Sequence, residues 1–297
     1  MTRPVTVGVD GFRESRAAAD WAAKEALLRE APLRVVHADE WPRVPAMPPV
    51  DREEHRRSAD TVLEDAAGEL RRRYPELAVS ARRPTGRAAA VLAVEAADSQ
   101  LLVLGSRGRG ALAGFLVGSV GTATVGLTDT PVVLVRPPAE SPSGSAQPRP
   151  PGDVAVGRDV VVGVDIHETA DAVLAFAFDE AARRGCGVRA VHGWSLPFTF
   201  GHAPGVDPGV RQEVADGIAG AVVELLRPWR GLYPSVKAEE RVLVGAPAEQ
   251  LLREAADAEL VVVGRRIRRA PVSGHLGHVA HAVLHHATAP VAVIAHD

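Results

Sequence analysis

The stretch LGSRGRGALAGFLVGSVGTATV, which begins at Leu104, holds the residues best placed to do chemistry in this chain. Gly105 closes an apolar run, Gly108 and Gly110 open a loop, and Gly118 and Ser119 stand where the next helix-like segment begins. A strand that runs through a glycine-rich loop into a helix N-terminus presents backbone N–H groups without side chains in the way. The helix dipole adds partial positive charge at the same point. That combination suits a phosphate. Ser119 can cap the helix or offer its hydroxyl to a phosphate oxygen. Glycines that only make turns would give the same letters, so spacing alone leaves both readings open. There is no Gly-Lys-Ser/Thr, so the lysine of a P-loop is missing.

The elements that must position this loop occur twice. VTVGVDGFRESRAAADWAAKEALLRE starts at Val5 and VVVGVDIHETADAVLAFAFDEAARRG at Val160; each is a β-branched run ending in Gly-Val-Asp, followed by a helix-period segment. LRVVHADEW from Leu33 matches VRAVHGWSL from Val188, and LLVLGSRGR from Leu101 matches LVVVGRRIR from Leu260. The Pro- and Ser-rich stretch between the copies reads as a linker over 139–157, which places one domain at 1–138 and a second at 158–297. Within each copy, apolar strands alternate with amphipathic helices, the pattern of parallel pairing with helices on both faces. The expected fold is α/β: two tandem doubly wound domains, each with a five-stranded, mainly parallel sheet. Ligands in such sheets sit beyond the carboxyl ends of the strands where the strand order reverses, and Asp10 and Gly105 are expected to meet there. Residues 43–57, a Pro-rich loop entering a helix, either cover that pocket or only connect elements.

Composition excludes several classes of partner. A net charge of −3 over 297 residues gives no general attraction to nucleic acid or to an anionic membrane surface. No apolar run has the length needed to span a bilayer. The single cysteine, Cys186, cannot form an intrachain disulfide. The N-terminal residues run into a strand pattern rather than a signal peptide, so the expectation is a cytoplasmic, reduced location.

Gly105, Gly108, Gly118 and Ser119 fit G-x2-G-x9-G-[ST], the ATP-binding signature of the universal stress protein family. GVDG with WAAKEA resembles that family's first strand and helix, so the chain resembles a tandem universal stress protein over nearly its whole length. The resemblance implies an adenine nucleotide alpha hydrolase-like fold and ATP as ligand, with or without Mg2+. It implies that Asp10 contacts the nucleotide near its ribose or phosphates and that Ala38 lies by the adenine. Val120 and Thr122 would extend the phosphate contacts, and Arg107 and Arg109 in the loop are counted with the site. Asp10 has an alternative use as a cap for the following helix. Phe12 stands where the family commonly has a small polar residue. The resemblance further implies that the final strands, 132–135 and 291–294, pair across a pseudo-twofold interface as an internal dimer, with a further homodimer and unidentified protein partners as open additions.

In the second copy the same count from the strand-end glycine runs from Gly264 to Gly277, which places His278 at the Ser119 position and Asp165 at the Asp10 position. Ile267 replaces Gly108, and its branched side chain blocks a close backbone approach to phosphate. Arg266 and Arg268, within RRIRR, can hold phosphate by guanidinium or can form a solvated basic loop. GHLGHVAHAVLHH then reads as a diverged phosphate-binding helix. Its residues His278, His281 and His285 form one stripe that is too long for one metal ion, so no metal site is expected. The function expected is an ATP-binding stress or regulatory protein with a working first site and a diverged second one, with at most weak ATP hydrolysis. A slow ATPase or nucleotidyl transferase and a nucleotide-free interaction module are the alternatives.

Overall fold

The computed structural model describes residues 2–40, 49–106, 118–137, 158–168, 171–195, 208–267 and 276–297; for 49–52, 208, 210 and 211 it describes the backbone alone. Arg107, Gly108, Arg109 and Arg268, together with the linker 139–157, lie outside the described residues. The chain divides into two compact units.

The first unit runs β1 (Val5–Gly8), α1 (Arg13–Leu28), β2 (Leu33–Val36), α2 (Pro49–Arg73), β3 (Val79–Arg82), α3 (Ala88–Ala97), β4 (Leu101–Gly105), α4 (Ser119–Leu127) and β5 (Val132–Val135). Its sheet order is β3-β2-β1-β4-β5, and every pair is parallel. β1 and β4 are short β-branched and leucine runs whose apolar side chains are fully buried, as expected for strands covered on both faces. A Cβ on Gly8 would meet Leu104 and the α3 residue Leu92, whereas one on Gly105 would meet the start of α1. Successive residues of a strand point to opposite faces, so α3 and α1 cover opposite sides of the sheet. Strand order reverses between β1 and β4, and the crevice beyond their carboxyl ends is where such a sheet leaves room for a ligand.

The second unit repeats the plan: β6 (Val160–Gly163), α5 (Asp171–Arg184), β7 (Val188–Trp194), α6 (Pro208–Leu232), β8 (Ala238–Val244), α7 (Pro247–Glu254), β9 (Leu260–Arg266), α8 (His278–His286) and β10 (Val291–His296). Its order is β8-β7-β6-β9-β10, again with parallel pairs. Two details show how closely the copies correspond. Buried Glu25 on α1 pairs at 2.5 Å with Arg29, the C-cap of that helix, and buried Glu180 and Arg184 form the matching i,i+4 pair on α5. The tyrosines just past α2 and α6 also act alike: Tyr74 donates to Asp20 at 2.6 Å and Tyr233 to Asp179 at 2.8 Å.

One difference bears on function. β4 ends at Gly105, whereas β9 continues past its matching glycine, Gly264, to Arg266. Arg265 and Arg266 pair with Ala295 and His296 of β10, and the Ile267 amide donates to the His296 carbonyl at 2.7 Å. The first part of RRIRR is therefore strand, which corrects the basic-loop reading for Arg265 and Arg266. Buried Arg265 alternates with exposed Arg266 as the pleat requires. Among the described residues no helix is long and apolar enough to cross a membrane.

Candidate functional site

In the first unit a cavity of about 220 Å³ lies at the switch point. It is lined by Asp10, Ala38, Gly105, Gly118, Ser119 and Val120, positions drawn from the ends of β1, β2 and β4 and the start of α4. Thr122, one turn further along α4, is not among the described lining residues. The floor is apolar, from Val36, Leu92 and Leu104, while Asp10 and Ser119 are exposed at the rim.

Asp10 sits in a tight turn. Its Oδ1 accepts from the Phe12 amide at 3.1 Å, its own amide donates to Ser15 Oγ at 3.2 Å, and Ser15 Oγ donates to the Phe12 carbonyl at 2.9 Å. Phe12, not Asp10, is the N-cap of α1, and no side chain caps that helix. The carboxylate therefore stabilises the turn before the helix, an Asx-turn, and stays at the rim of the cavity. Gly11 takes φ +83° within this turn, a conformation in which a Cβ is strained.

The start of α4 has an equally simple geometry. Gly118 is its N-cap, with extended φ and ψ, and Ser119 is the first helical residue, so Ser119 is not the cap. Among the described residues no side chain caps this terminus. Its first N–H groups lack intrahelical partners by construction and lie against the cavity. Among the described residues a Cβ on Gly118 would meet nothing within 4 Å, whereas one on Gly105 would stand 2.6 Å from the Glu14 carbonyl carbon and 2.7 Å from the Ser15 amide nitrogen. The two signature glycines thus do different things: Gly105 admits the backbone of α1, and Gly118 leaves the mouth of the cavity open.

Sequence reasoning missed a charged cluster just past β2, none of whose members is among the described cavity-lining residues. Buried Asp39 receives Arg83 at 2.6 Å and His55 Nε2 at 2.9 Å, and Arg83 also binds Asp60 at 2.8 Å. A short bridge between Asp39 and Thr85 extends the strand edge there. These partners are scattered in sequence, and only folding brings them together. His37 and His192 share one role: each Nδ1 lies at hydrogen-bond distance from a strand-end carbonyl, Val9 at 2.8 Å and Val164 at 2.9 Å, and each ring lines its unit's cavity. Ser106, next to Gly105, is buried with no hydrogen-bond partner for its hydroxyl among the described residues.

The second unit has its own cavity, of about 440 Å³, lined by Asp165, Gly264 and His278 together with His167, His192, Trp194 and His296. Asp165 repeats the Asp10 turn, with Oδ1 accepting from the His167 amide at 2.9 Å. Gly277 caps α8 as Gly118 caps α4, but it is not among the lining residues. The space that α1 backbone occupies at Gly105 is taken at Gly264 by the His296 ring, whose Nε2 would stand 2.7 Å from an added Cβ. Arg266 is half exposed and paired with the cavity residue Glu168 at 2.9 Å, so a phosphate here would meet a guanidinium already partly neutralised by a carboxylate. Among the described residues no group of three or more His, Cys, Asp or Glu side chains is arranged to hold a metal.

Two doubly wound units, each with a cavity at the carboxyl ends of its strands, define a tandem α/β protein. The profile of the universal stress protein family matches residues 1–136 and again 157–295. A universal stress protein of Mycolicibacterium smegmatis is 34% identical over 301 residues, covering 98% of this chain and 96% of the relative. One from Mycobacterium tuberculosis is 36% identical over 308 residues, covering 97% and 96%. The crystal structure of a universal stress protein from Archaeoglobus fulgidus superimposes with a TM-score of 0.69 at 15% identity over 99% of both chains, a likeness of fold. The chain belongs to the universal stress protein family, in its tandem two-domain form.

Proposed function

We propose that the first unit binds an adenine nucleotide, ATP with or without Mg2+, and acts as a regulatory binding module rather than a catalyst. The observation that carries this reading is the convergence of Asp10, Ala38, Gly105, Gly118, Ser119 and Val120 on one cavity. At about 220 Å³ the cavity is smaller than the ~300–1,000 Å³ of whole-ligand pockets, so it suits a base and sugar, with the phosphates at the rim. The apolar floor of Val36, Leu92 and Leu104 favours a purine face. The rim offers the N-terminus of α4 and the Ser119 hydroxyl, both donors to phosphate oxygens. Asp10 can only accept while ionised, so its natural partner is a ribose hydroxyl rather than a phosphate. When bound, Mg2+ would neutralise phosphate charge that no lysine meets here.

The second unit is the diverged one in this reading. Extension of β9 through Arg266 turns into paired strand the residues that would open a glycine nest, and His296 fills space at Gly264. Arg266, offered from sequence as a replacement phosphate ligand, is paired with Glu168.

Photo-crosslinking with 8-azido-ATP followed by peptide mapping tests the placement. Adducts in the segment after β2, around Ala38, and competition by ATP are expected. Adducts confined to residues 158–297, or none that ATP displaces, would overturn the reading.

A further inference from the structure

The helix α8 holds a feature that the nucleotide reading does not use. His281 and His285 lie one turn apart, with ring centroids 4.3 Å apart and Nε2 atoms 3.2 Å apart. The matching positions on α4 are Thr122 and Gly126, so the pair belongs to the second unit alone. We propose that His281 and His285 form a two-histidine site for a divalent transition-metal cation, Zn2+ or Cu2+.

Distance is the first argument. Two imidazole nitrogens at about 2.0–2.1 Å from one tetrahedral Zn2+ stand ~3.3 Å apart, and two cis nitrogens of a tetragonal Cu2+ stand ~2.9 Å apart. The observed 3.2 Å falls between these values. The second argument is preorganisation. Both rings stand on one face of one helix at the i,i+4 spacing that brings side chains together, so binding orders little that is not already ordered. The third is chemical: two Nε2 atoms this close need something between them. A single shared proton satisfies them, and so does a cation that takes both lone pairs while each ring keeps its hydrogen on Nδ1.

Among the described residues no third His, Cys, Asp or Glu completes the set. The site is open rather than structural in type. The first turn of α8, including His278, lines the second cavity, so a cation one turn further on would fix the helix that forms its wall.

The test is titration of the untagged full-length chain with ZnCl2 by calorimetry and with Cu2+ by electron paramagnetic resonance. His281→Gln, His285→Gln and His286→Gln are compared with wild type, and far-ultraviolet circular dichroism checks the fold of each. Wild type is expected to bind one ion held by two imidazole nitrogens. Either of the first two substitutions is expected to weaken binding roughly tenfold or more, with His286→Gln unchanged. Failure of the wild type to bind, binding that survives either His281→Gln or His285→Gln, or equal loss in His286→Gln would overturn the assignment.

Discussion

The carbonyl carbon of Glu14 lies 2.6 Å from the place a Cβ on Gly105 would occupy, so the first turn of α1 rests directly on the end of β4. The first glycine of the family signature is therefore a packing requirement, apart from the binding part proposed for it. Gly105→Ala pushes against helix backbone, which cannot rotate away as a side chain can, and is expected to destabilise the protein by about 2 kcal/mol. Gly118→Ala meets none of the described residues and removes only a permissive cap, a loss of about 0.5 kcal/mol. Urea unfolding of both variants checks the difference.

Ser119→Glu separates stability from binding. Ser119 is exposed in the first turn of α4, so a carboxylate there gains about 0.5 kcal/mol from the helix dipole. The same charge faces the place proposed for phosphates, and ATP affinity is expected to fall at least about tenfold. Thermal unfolding and an ATP titration on one preparation are expected to move in opposite directions.

The hydrogen bond from Tyr74 to Asp20 sets a third expectation. Tyr74→Phe removes it, while Lys24 and Arg73 still accompany Asp20, so the loss is about 1 kcal/mol. Burial and the Asp20 bond push the Tyr74 phenol above its ordinary range. With the folded value raised, this contribution is present below the unfolded pKa of about 10 and is lost as pH climbs through that range towards the folded value. The stability gap between wild type and Tyr74→Phe should narrow at alkaline pH, as read from urea midpoints.

Burial also raises the pKa of the Cys186 thiol, with a smaller opposing effect from the Val160 backbone and from Arg184. A thiol shifted upward is mostly protonated at neutral pH and a poor nucleophile. Iodoacetamide should modify Cys186 more slowly in the native protein than in urea at pH 7.5. Equal rates would point to an exposed, reactive cysteine.

The parallel sheets were legible in the sequence because the repeat writes each β-branched run and its glycine twice, and burial on both faces leaves such runs few alternatives. Of the signature, the structure places Gly105 at a strand end and Gly118 and Ser119 at a helix start, while Gly108 lies outside the described residues. The extension of β9 was not legible, since arginines are poor indicators of a strand and Arg265 and Arg266 read as loop until β10 pairs with them. The histidine stripe was traced through His278, His281 and His285, but the structure joins only the i,i+4 pair, a choice of side-chain direction that spacing does not decide. The cluster of Asp39, His55, Arg83 and Asp60 had no local signal at all.

Native mass spectrometry of the full chain titrated with ATP and Mg2+, for wild type and Ser119→Glu, tests the central claim most directly. The account expects one nucleotide per wild-type chain and weakened occupancy in the variant. A chain that takes up no nucleotide, or one whose occupancy is the same with Ser119→Glu, would contradict a phosphate site at the start of α4.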